Sequence, residues 1–194
     1  MDIIKRNTEK LGRLAEDILD VTRIESNSLK LTSERLNLYD VILNSIEEYN
    51  RNSQFIYKDL IVNYKSANKS IFVSGDKMRL SQVMLNLLDN AGKFTKRGSI
   101  TITSETKSDR VQVTVKDTGT GIHPEIYPKL FSKFATKSDR GTGLGLFISK
   151  SIVEAHGGNI WAESGSQQKG ATFIFTLPIS DQENIEQKND NNES

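Results

Sequence analysis

The chain has 194 residues, of which 36% are hydrophobic, so it can form one domain with a substantial core and a short appendage. Its 26 Lys and Arg residues balance 25 Asp and Glu residues, and a net charge of +1 excludes the basic surface of a protein that binds nucleic acid or anionic membranes. The absence of cysteine excludes disulfides, thiolate metal sites and a cysteine nucleophile. No apolar run approaches the ~20 residues of a membrane span and the first residues lack a signal-peptide core, so we expect a cytoplasmic protein or the cytoplasmic end of a longer one.

The first predicted element is a long amphipathic helix from Ile4 to about Leu31, which makes up most of an N-terminal unit of residues 1–33. Its apolar residues recur mainly in steps of three and four, in a stripe formed by Ile4, Leu11, Leu14, Ile18, Val21 and Ile24. Such a stripe is typical of a coiled coil or helical bundle. The alternative is a helix that packs onto its own domain.

Residues 34–180 are predicted to form one α+β domain, a two-layer sandwich in which helices cover one face of a mixed sheet. Strands are expected at 35–38, 59–66, 70–75, 99–106, 110–117, 159–164 and 171–178. Helices are expected at 39–52, at 77–91 behind an Asp76 N-cap, shortly after Pro124, and at 143–155. The polar tail of residues 181–194 has too few apolar residues to fold.

The predicted helix behind Asp76 has a polar stripe beside its apolar one. Gln82, Asn86 and Asn90 are spaced i, i+4 and i+8, and Lys93 continues the same face. An amide oxygen such as that of Asn90 is a suitable ligand for Mg²⁺, which commonly bridges protein and substrate phosphates, and Lys93 can neutralise a phosphate. The alternative is a solvated helix face.

A glycine-rich segment follows the strand that ends at Asp117. Because Gly119 and Gly121 have no side chains, a hydrogen-bond donor can approach the backbone there and reach the Asp117 carboxylate. Adenine offers an amino group at that edge where guanine offers a carbonyl, so one acceptor would select ATP over GTP. The alternative is an Asx-turn that closes a hairpin.

A second glycine-rich segment, RGTGLGLFISK, covers residues 140–150 and leads into a helix. Ordering so many glycines costs backbone entropy, which indicates a close ligand or a moving loop. The spacing matches neither the dinucleotide pattern G-x-G-x-x-G nor the P-loop pattern G-x-x-x-x-G-K-[ST]. The segment alone therefore favours a phosphate ligand without identifying the fold.

In combination, these segments resemble the C-terminal half of a sensor histidine kinase, with the Bergerat-type ATP-binding domain of the gyrase, Hsp90 and MutL superfamily. DKMRLSQVMLNLLDNAGKFT is similar to the family's N box, DTGTGI to its first glycine box and LFSKF to its F box. GTGLGLFISKSIVEAHGGNIWAES is similar to the second glycine box with the helix and strand that follow, and GATFIFTLP to the closing strand. The resemblance runs in family order from about Leu36 to Pro178, and it implies that residues 1–33 are the second helix of the dimerisation and phosphotransfer hairpin.

The resemblance implies that ATP and Mg²⁺ bind along the helix behind Asp76. Asn90 is similar to the asparagine that coordinates Mg²⁺, and Asn86 to a second polar residue on the nucleotide side. Lys93 is similar to the lysine that contacts phosphate, and Phe94 stands where an aromatic ring lies against adenine. Asn86 and Lys93 are the residues expected to act in catalysis.

The two glycine boxes would hold the two ends of the nucleotide. Asp117 corresponds to the acid that reads the adenine amino group, with Gly119 and Gly121 making room for the base. The second box would be a lid whose helix start offers main-chain N–H groups to the triphosphate, formed by Gly141, Thr142, Gly143, Leu144, Gly145 and Leu146.

The segment before this lid, residues 135–140, is short compared with that of many family members. Phe131 and Phe134 are expected to anchor the lid rather than to touch substrate. Lys137 and Arg140 are candidates to reach the phosphates, and the sequence does not choose between them.

ATPases of the superfamily carry a glutamate at the position of Asn86, where it is the general base for water, and an amide cannot take that proton. The resemblance therefore implies a site that binds ATP and hydrolyses it poorly, as suits a kinase that holds its γ-phosphate for a better nucleophile. We expect Asn86→Glu to raise the turnover of ATP to water if the fold tolerates it.

The family's phosphoacceptor segment, similar to S-H-E-[LF]-R-[TS]-P, is absent. His123 lies too near the first glycine box and His156 precedes a helix-ending Gly-Gly pair, so neither is expected to accept phosphate. The γ-phosphate would pass to a histidine helix in a missing upstream segment or another chain, and from there to a response-regulator receiver domain. A homodimer through the N-terminal helix is expected, with no nucleic acid and no membrane contact by this segment.

Two other functions are consistent with parts of this pattern. One is an ATP-binding regulatory module, a pseudokinase that signals without phosphotransfer. The other is a gyrase- or Hsp90-like ATPase, which Asn86 and the lack of a transducer domain disfavour.

Overall fold

The computed structural model describes residues 2–53, 59–95, 97–136, 141–165 and 169–180. The helices are α1 (Asp2–Glu25), α2 (Leu38–Ser53), α3 (Lys77–Phe94) and α4 (Gly145–Ala155), with a 3₁₀ turn at Tyr127–Lys129. The strands are β1 (Glu34–Asn37), β2 (Leu60–Ser66), β3 (Phe72–Gly75), β4 (Gly98–Lys107), β5 (Arg110–Asp117), β6 (Asn159–Ser164) and β7 (Ala171–Pro178). The predicted tail of residues 181–194 lies outside the described residues.

The main sheet has five strands in the order β2-β4-β5-β7-β6. Strands β2 and β4 are parallel, and the other neighbours are antiparallel. Strands β1 and β3 form a separate antiparallel pair. The predicted mixed sheet is therefore confirmed.

One face of this sheet is the floor of the core. The register pairs Ile102 with Val115 and Val113 with Phe175, so buried side chains from adjacent strands share one face. Helix α3 contacts both α2 and α4, and the three helices cover that face. The two-layer α+β sandwich is therefore confirmed, and Asp117 stands at the end of the central strand β5.

Three helix boundaries differ from the sequence prediction. Helix α3 continues to Phe94 rather than ending near Ala91, and the other two differences have a backbone cause. Helix α1 ends at Glu25 rather than near Leu31, because Asn27 takes a left-handed conformation with φ 49° and the Ser28 N–H bonds back to the Arg23 carbonyl. Helix α4 begins at Gly145 rather than Gly143, because Gly143 has φ +72°.

Asp76 is the N-cap of α3, as predicted, and it joins three parts of the chain. Its carboxylate accepts the N–H groups of Arg79 in α3 and Thr32 in the segment after α1. Its own N–H donates to Nε2 of His156, at the end of α4. Burial alone would raise the pKa of Asp76, but the backbone donors, including Met78 N–H, outweigh it and lower that pKa.

Among the helices in the described ranges, none combines the length and the apolar character needed to cross a bilayer.

Candidate functional site

The polar face of α3 lies opposite its buried face and meets the start of α4. Asn86 Nδ2 donates to the Gly145 carbonyl at 3.2 Å and contacts Ser149 Oγ at 3.3 Å. Ser149 is fully buried, and a β-carbon placed on Gly145 would lie 3.4 Å from the Asn86 side chain. Asn86 therefore fixes the first turn of α4, a role that the sequence did not predict.

Gln82 starts the same polar stripe but belongs to a different contact. Its amide donates to Asp20 of α1 at 2.8 Å and accepts from Arg79 at 2.9 Å. The interpretation of Gln82 as part of a ligand-facing stripe is therefore wrong at this position. The N-terminal part of the polar stripe contacts α1, and only the part from Asn86 onward can face a ligand.

At the other end of α3, Lys93 approaches Gly141 of the second glycine box, and the carbonyl of Phe94 faces Gly119 of the first. The Lys93 ammonium lies 5.6 Å from the centre of the Phe94 ring. A β-carbon on Gly141 would come within 2.2 Å of the Lys93 nitrogen, so the lysine rests against bare backbone. Phe94 is 41% exposed, which leaves its ring available to a planar ligand. The structure therefore brings Lys93, Phe94 and Gly141 together.

Asp117 is buried, with only 3% of its surface exposed, and a single oxygen of its carboxylate accepts three hydrogen bonds. Oδ1 accepts the N–H of Gly119 at 2.8 Å, the N–H of Ala171 at 3.2 Å and the hydroxyl of Thr95 at 3.4 Å. Burial raises the pKa of the Asp117 carboxyl, and these three donors oppose that shift. Within the described ranges no donor is paired with Oδ2, which remains the atom suited to a ligand donor.

The hydrogen bond between Asp117 Oδ1 and the Gly119 N–H also forms an Asx-turn. The alternative prediction of an Asx-turn is therefore correct as a description of the local backbone. Gly119 is needed as glycine, since a β-carbon there would lie 2.3 Å from the Phe94 carbonyl oxygen. Gly121 has φ +77° and Gly170 has φ +73°, and the Gly170 N–H donates to the Gly119 carbonyl. The loop before β7 therefore closes the back of this site.

The start of α4 is the part of the second glycine box that can hold an anion. Its N-cap residue, Leu144, provides no side-chain cap, and its first turn contains no acidic residue. Leu144 and Leu146 are buried in the core, so their predicted ligand role is confined to main-chain groups. The Thr142 hydroxyl donates to Asp17 of α1 at 2.9 Å and accepts the Leu144 N–H at 3.3 Å.

The F box behaves differently at its two phenylalanines. Phe131 is partly buried against the core, as expected of an anchor. Phe134 is 69% exposed with φ +61°, and its backbone packs against Gly143. The exposure of the Phe134 ring does not agree with the expectation that it anchors the lid, and the atoms nearest to Gly143 belong to the backbone of residues 134 and 135. Lys137 and Arg140 lie outside the described residues.

Sequence reasoning missed two residues that position the Asp117 carboxylate. Thr95 follows α3 directly and is fully buried, and its hydroxyl points at Asp117. Ala171 contributes only its N–H, which no side-chain pattern reveals. Thr95 is the last residue of the N box and is followed by Lys96 and Arg97, so its sequence neighbours gave no signal that it is buried.

The residues present fit a magnesium ion that is shared with phosphates. In the described part of the chain, no group of three or more His, Asp or Glu side chains could hold a metal ion alone. The Asn90 amide makes no hydrogen bond with the other described residues and lies one turn from both Asn86 and Lys93. A single amide oxygen suits Mg²⁺ when the substrate supplies further oxygen ligands.

Another cleft, of about 560 Å³, lies between Tyr39 and Tyr64 at the far end of the main sheet. Ser104 in its wall is four residues along β4 from Ile100, the partner of Asp117, which separates the two places by ~13 Å along the strand. The hydroxyls of Tyr64, Ser66 and Ser104 bond to one another there. This cluster closes the end of the sheet and is separate from the site.

Both histidines have structural contacts. His156 donates from Nδ1 to the Ile152 carbonyl at 2.7 Å, and Nε2 accepts the Asp76 N–H at 2.9 Å, so no ring lone pair is left for a phosphorus atom. His123 Nδ1 accepts the Glu125 N–H at 3.3 Å. These contacts agree with the expectation that the phosphoacceptor is a different histidine.

The comparisons with known proteins agree with this geometry. The sequence profile of the family described as histidine kinase-, DNA gyrase B- and HSP90-like ATPases matches residues 75–181. Sensor protein SrrB of Staphylococcus aureus (strain NCTC 8325 / PS 47) is 35% identical over 183 residues. That match covers 91% of this chain and 31% of SrrB, so the chain spans less than a third of this relative.

Two solved structures share the fold. Full-length ShkA in complex with AMPPNP has a TM-score of 0.80 and 26% identity over 90% of this chain and 37% of that chain. Histidine kinase ThkA in complex with response regulator protein TrrA has a TM-score of 0.70 and 32% identity over 89% of this chain and 49% of that chain. The chain therefore belongs to the histidine kinase-, DNA gyrase B- and HSP90-like ATPase family, as the ATP-binding catalytic domain of the sensor histidine kinase type.

Proposed function

We propose that this chain binds Mg-ATP and transfers the γ-phosphate to a histidine that lies outside its 194 residues. The observation that carries the proposal is the continuous row of groups from Asp117, past Phe94 and Lys93, to the start of α4. A buried acceptor stands at one end of this row and main-chain donors stand at the other. A buried carboxylate suits an adenine amino group, and the uncapped start of a helix suits phosphates.

In the proposed reaction, a nitrogen of the acceptor imidazole attacks the γ-phosphorus and the bond to the β–γ bridging oxygen breaks. The attacking nitrogen uses its lone pair, ADP leaves, and the proton on the other ring nitrogen of the resulting imidazolium is lost to solvent. Lys93 and the first N–H groups of α4 stabilise the phosphate charge, and Asn90 would hold Mg²⁺, which neutralises further charge when bound. Asn86 supplies no carboxylate base for water, which favours transfer over hydrolysis.

The proposed partners follow from α1 and from the relatives. A response-regulator receiver domain would take the phosphate from the histidine, as the ThkA–TrrA complex suggests by likeness. Leu11, Ile18 and Leu19 of α1 are more than half exposed, and these apolar side chains support a homodimer through this helix. We propose that residues 1–33 belong to the dimerisation and phosphotransfer hairpin and that residues 34–180 form the ATP-binding catalytic domain.

The proposal is tested by mixing the chain with Mg-[γ-³²P]ATP and a separate helical hairpin fragment that carries a phosphoacceptor histidine. We expect acid-labile, base-stable label on the hairpin fragment with the natural chain and almost none with Asp117→Asn. The matched control is Asp109→Asn, the same change at an exposed turn. Normal ATP binding without any transfer would favour the regulatory module, and no ATP binding by folded protein would refute the proposal.

A further inference from the structure

Helix α1 docks on the catalytic domain through an acidic residue that is almost completely buried. Asp20 is 5% exposed, and its two oxygens each lie 2.8 Å from one Arg79 nitrogen. Gln82 donates to the same carboxylate, and Val21 and Ile24 pack against the core beside it. A buried charge paired with both Arg79 and Gln82 fixes the position of α1 along α3.

This docking brings a second acid of α1 onto the second glycine box. Asp17 lies one turn before Asp20, and its Oδ2 accepts the Thr142 hydroxyl at 2.9 Å. Thr142 stands between Gly141 and Gly143, two residues before the uncapped start of α4. A carboxylate of α1 therefore occupies a donor in the segment that we assign to the triphosphate.

A hydroxyl has one hydrogen to donate, so Thr142 cannot serve Asp17 and a phosphate oxygen at the same time. Both are anionic acceptors, and the positive end of the α4 dipole attracts either of them. We propose that Asp17 is an internal competitor of ATP, so that docking of α1 and binding of nucleotide oppose each other. This inference rests on the proposed function, because it requires the phosphates to reach Thr142.

Opposition between two binding events is reciprocal. If docked α1 weakens ATP binding by some factor, bound ATP weakens the docking of α1 by the same factor. A signal that pulls α1 away would therefore raise the affinity for ATP without any change at the adenine end. Nucleotide would in turn free α1 for its other contacts.

The affinity test uses the complete chain and calorimetry with Mg-AMPPNP. We expect Asp17→Ala to tighten binding by about five- to tenfold, a range typical of coupling between sites. Asp17→Asn keeps an acceptor without charge and should give a smaller gain. Glu16→Gln removes the same charge from the exposed neighbour and should leave the affinity unchanged. Equal affinities for the natural chain and Asp17→Ala, or weaker binding by Asp17→Ala, would overturn the inference.

A second measurement follows α1 directly by backbone hydrogen exchange. In the natural chain, Mg-AMPPNP should lower the protection of residues 14–25, whereas in Asp17→Ala the nucleotide should change it much less. Asp20→Asn should lower the protection of α1 even without nucleotide and should also tighten AMPPNP binding. Nucleotide binding with unchanged or higher protection of α1 would refute the competition and leave the proposed function intact. No nucleotide binding by the folded natural chain would refute the proposed function itself.

Discussion

Asp117 combines deep burial with three donors on one oxygen, and this combination makes its protonation state consequential. Its raised pKa means that the folded protein holds this proton at a pH where the unfolded chain has released it. Between the ordinary carboxyl pKa and the raised one, increasing pH therefore reduces the contribution of Asp117 to the free energy of unfolding. The carboxylate is kept at a cost in stability because a charged acceptor serves the site.

We expect ATP affinity to fall as pH decreases through the raised pKa of Asp117, because a protonated carboxyl is a weaker acceptor for the adenine amino group. The fall should begin at a higher pH than an ordinary aspartate would give. Fluorescence titration with a labelled ATP analogue from pH 4 to pH 8 measures it. Asp109→Asn should keep this profile and Asp117→Asn should flatten it at low affinity; a profile unchanged in Asp117→Asn would contradict the assignment.

Thr95 should act as a positioning residue for purine selection. Thr95→Val keeps the shape and removes the hydroxyl from Oδ1 of Asp117, and a hydrogen bond to a charged group contributes about 1.5–3 kcal/mol. Because this hydrogen bond is long, at 3.4 Å, we expect a contribution at the lower end of that range. Thr95→Val should therefore lose about tenfold in ATP affinity and show a lower ratio of ATP affinity to GTP affinity. Competition titrations with both nucleotides measure the ratio.

Thr95→Ser should restore the ATP-to-GTP ratio, and Thr101→Val, on the opposite face of the sheet, should not change it. A loss of thermal stability without any change in the ratio would show that Thr95 serves the fold only.

The structure predicts that Asn86→Glu also destabilises the fold, which the sequence did not reveal. A glutamate would replace the donor that faces the Gly145 carbonyl with an acceptor, and an unmatched buried polar group costs about 1–3 kcal/mol. We expect a lower melting temperature together with faster release of phosphate from ATP to water. Asn86→Ala loses the same hydrogen bonds without gaining a base, and it should lower the melting temperature alone. Equal hydrolysis by the two variants would contradict the role of the amide in sparing ATP.

At the scale of elements, the termini of α3 and α4 are held together by side chains. His156 connects the last turn of α4 to the N-cap of α3, and Asn86 connects α3 to the first turn of α4. A β-carbon on Gly75 would lie 2.8 Å from the His156 ring, so the neighbouring strand is shaped around the imidazole. The two helices that bear the site are therefore joined at both ends of α4.

We expect His156→Ala to destabilise the domain and to leave phosphotransfer intact. The Asp76 N–H would lose its partner, which costs about 1–3 kcal/mol, and each kcal/mol lowers the melting temperature by about 2–4 °C for a domain of this size. Thermal unfolding and labelling of the hairpin fragment measure the two effects, with exposed His123→Ala as the control. Loss of label on the hairpin fragment without a change in melting temperature would show that His156 takes part in phosphotransfer.

The elements that the sequence predicted well are those that local chemistry determines. The Asp76 cap and the strands β4 and β5 each follow from a few neighbouring residues. The acids of α1 could not be predicted, because Asp20 meets Arg79 59 residues later and Asp17 meets Thr142 125 residues later. From sequence alone, a polar residue between apolar ones is predicted to be exposed to solvent, because the distant residue with which it pairs is not known.

The predicted apolar stripe of α1 is divided between two surfaces. Val21 and Ile24 pack on the chain's own core, which agrees with the alternative of a helix docked on its domain. Leu11 and Ile18, spaced seven residues apart, are 66% and 51% exposed. Periodicity alone could not separate the two, because both surfaces share the same spacing.

At the scale of the whole molecule, the exposed part of α1 predicts self-association. We expect Ile18→Asp to shift the natural chain toward the monomer, because a buried unpaired charge opposes packing of two such helices. Light scattering coupled to size exclusion measures the mass. Ile61→Asp changes an equally exposed residue on β2 and should not alter it. A natural chain that is monomeric at every concentration would contradict the homodimer.

The junction at Asp76 has a mechanical consequence. The carboxylate that caps α3 also accepts the Thr32 N–H, so the segment between α1 and β1 is held at the start of the helix that carries Asn86, Asn90 and Lys93. A rotation of α1 would act on α3 at this junction as well as through the Asp20–Arg79 pair. Helix α3, which we propose binds the nucleotide, would then change its tilt by a route separate from the Asp17–Thr142 contact at the second glycine box.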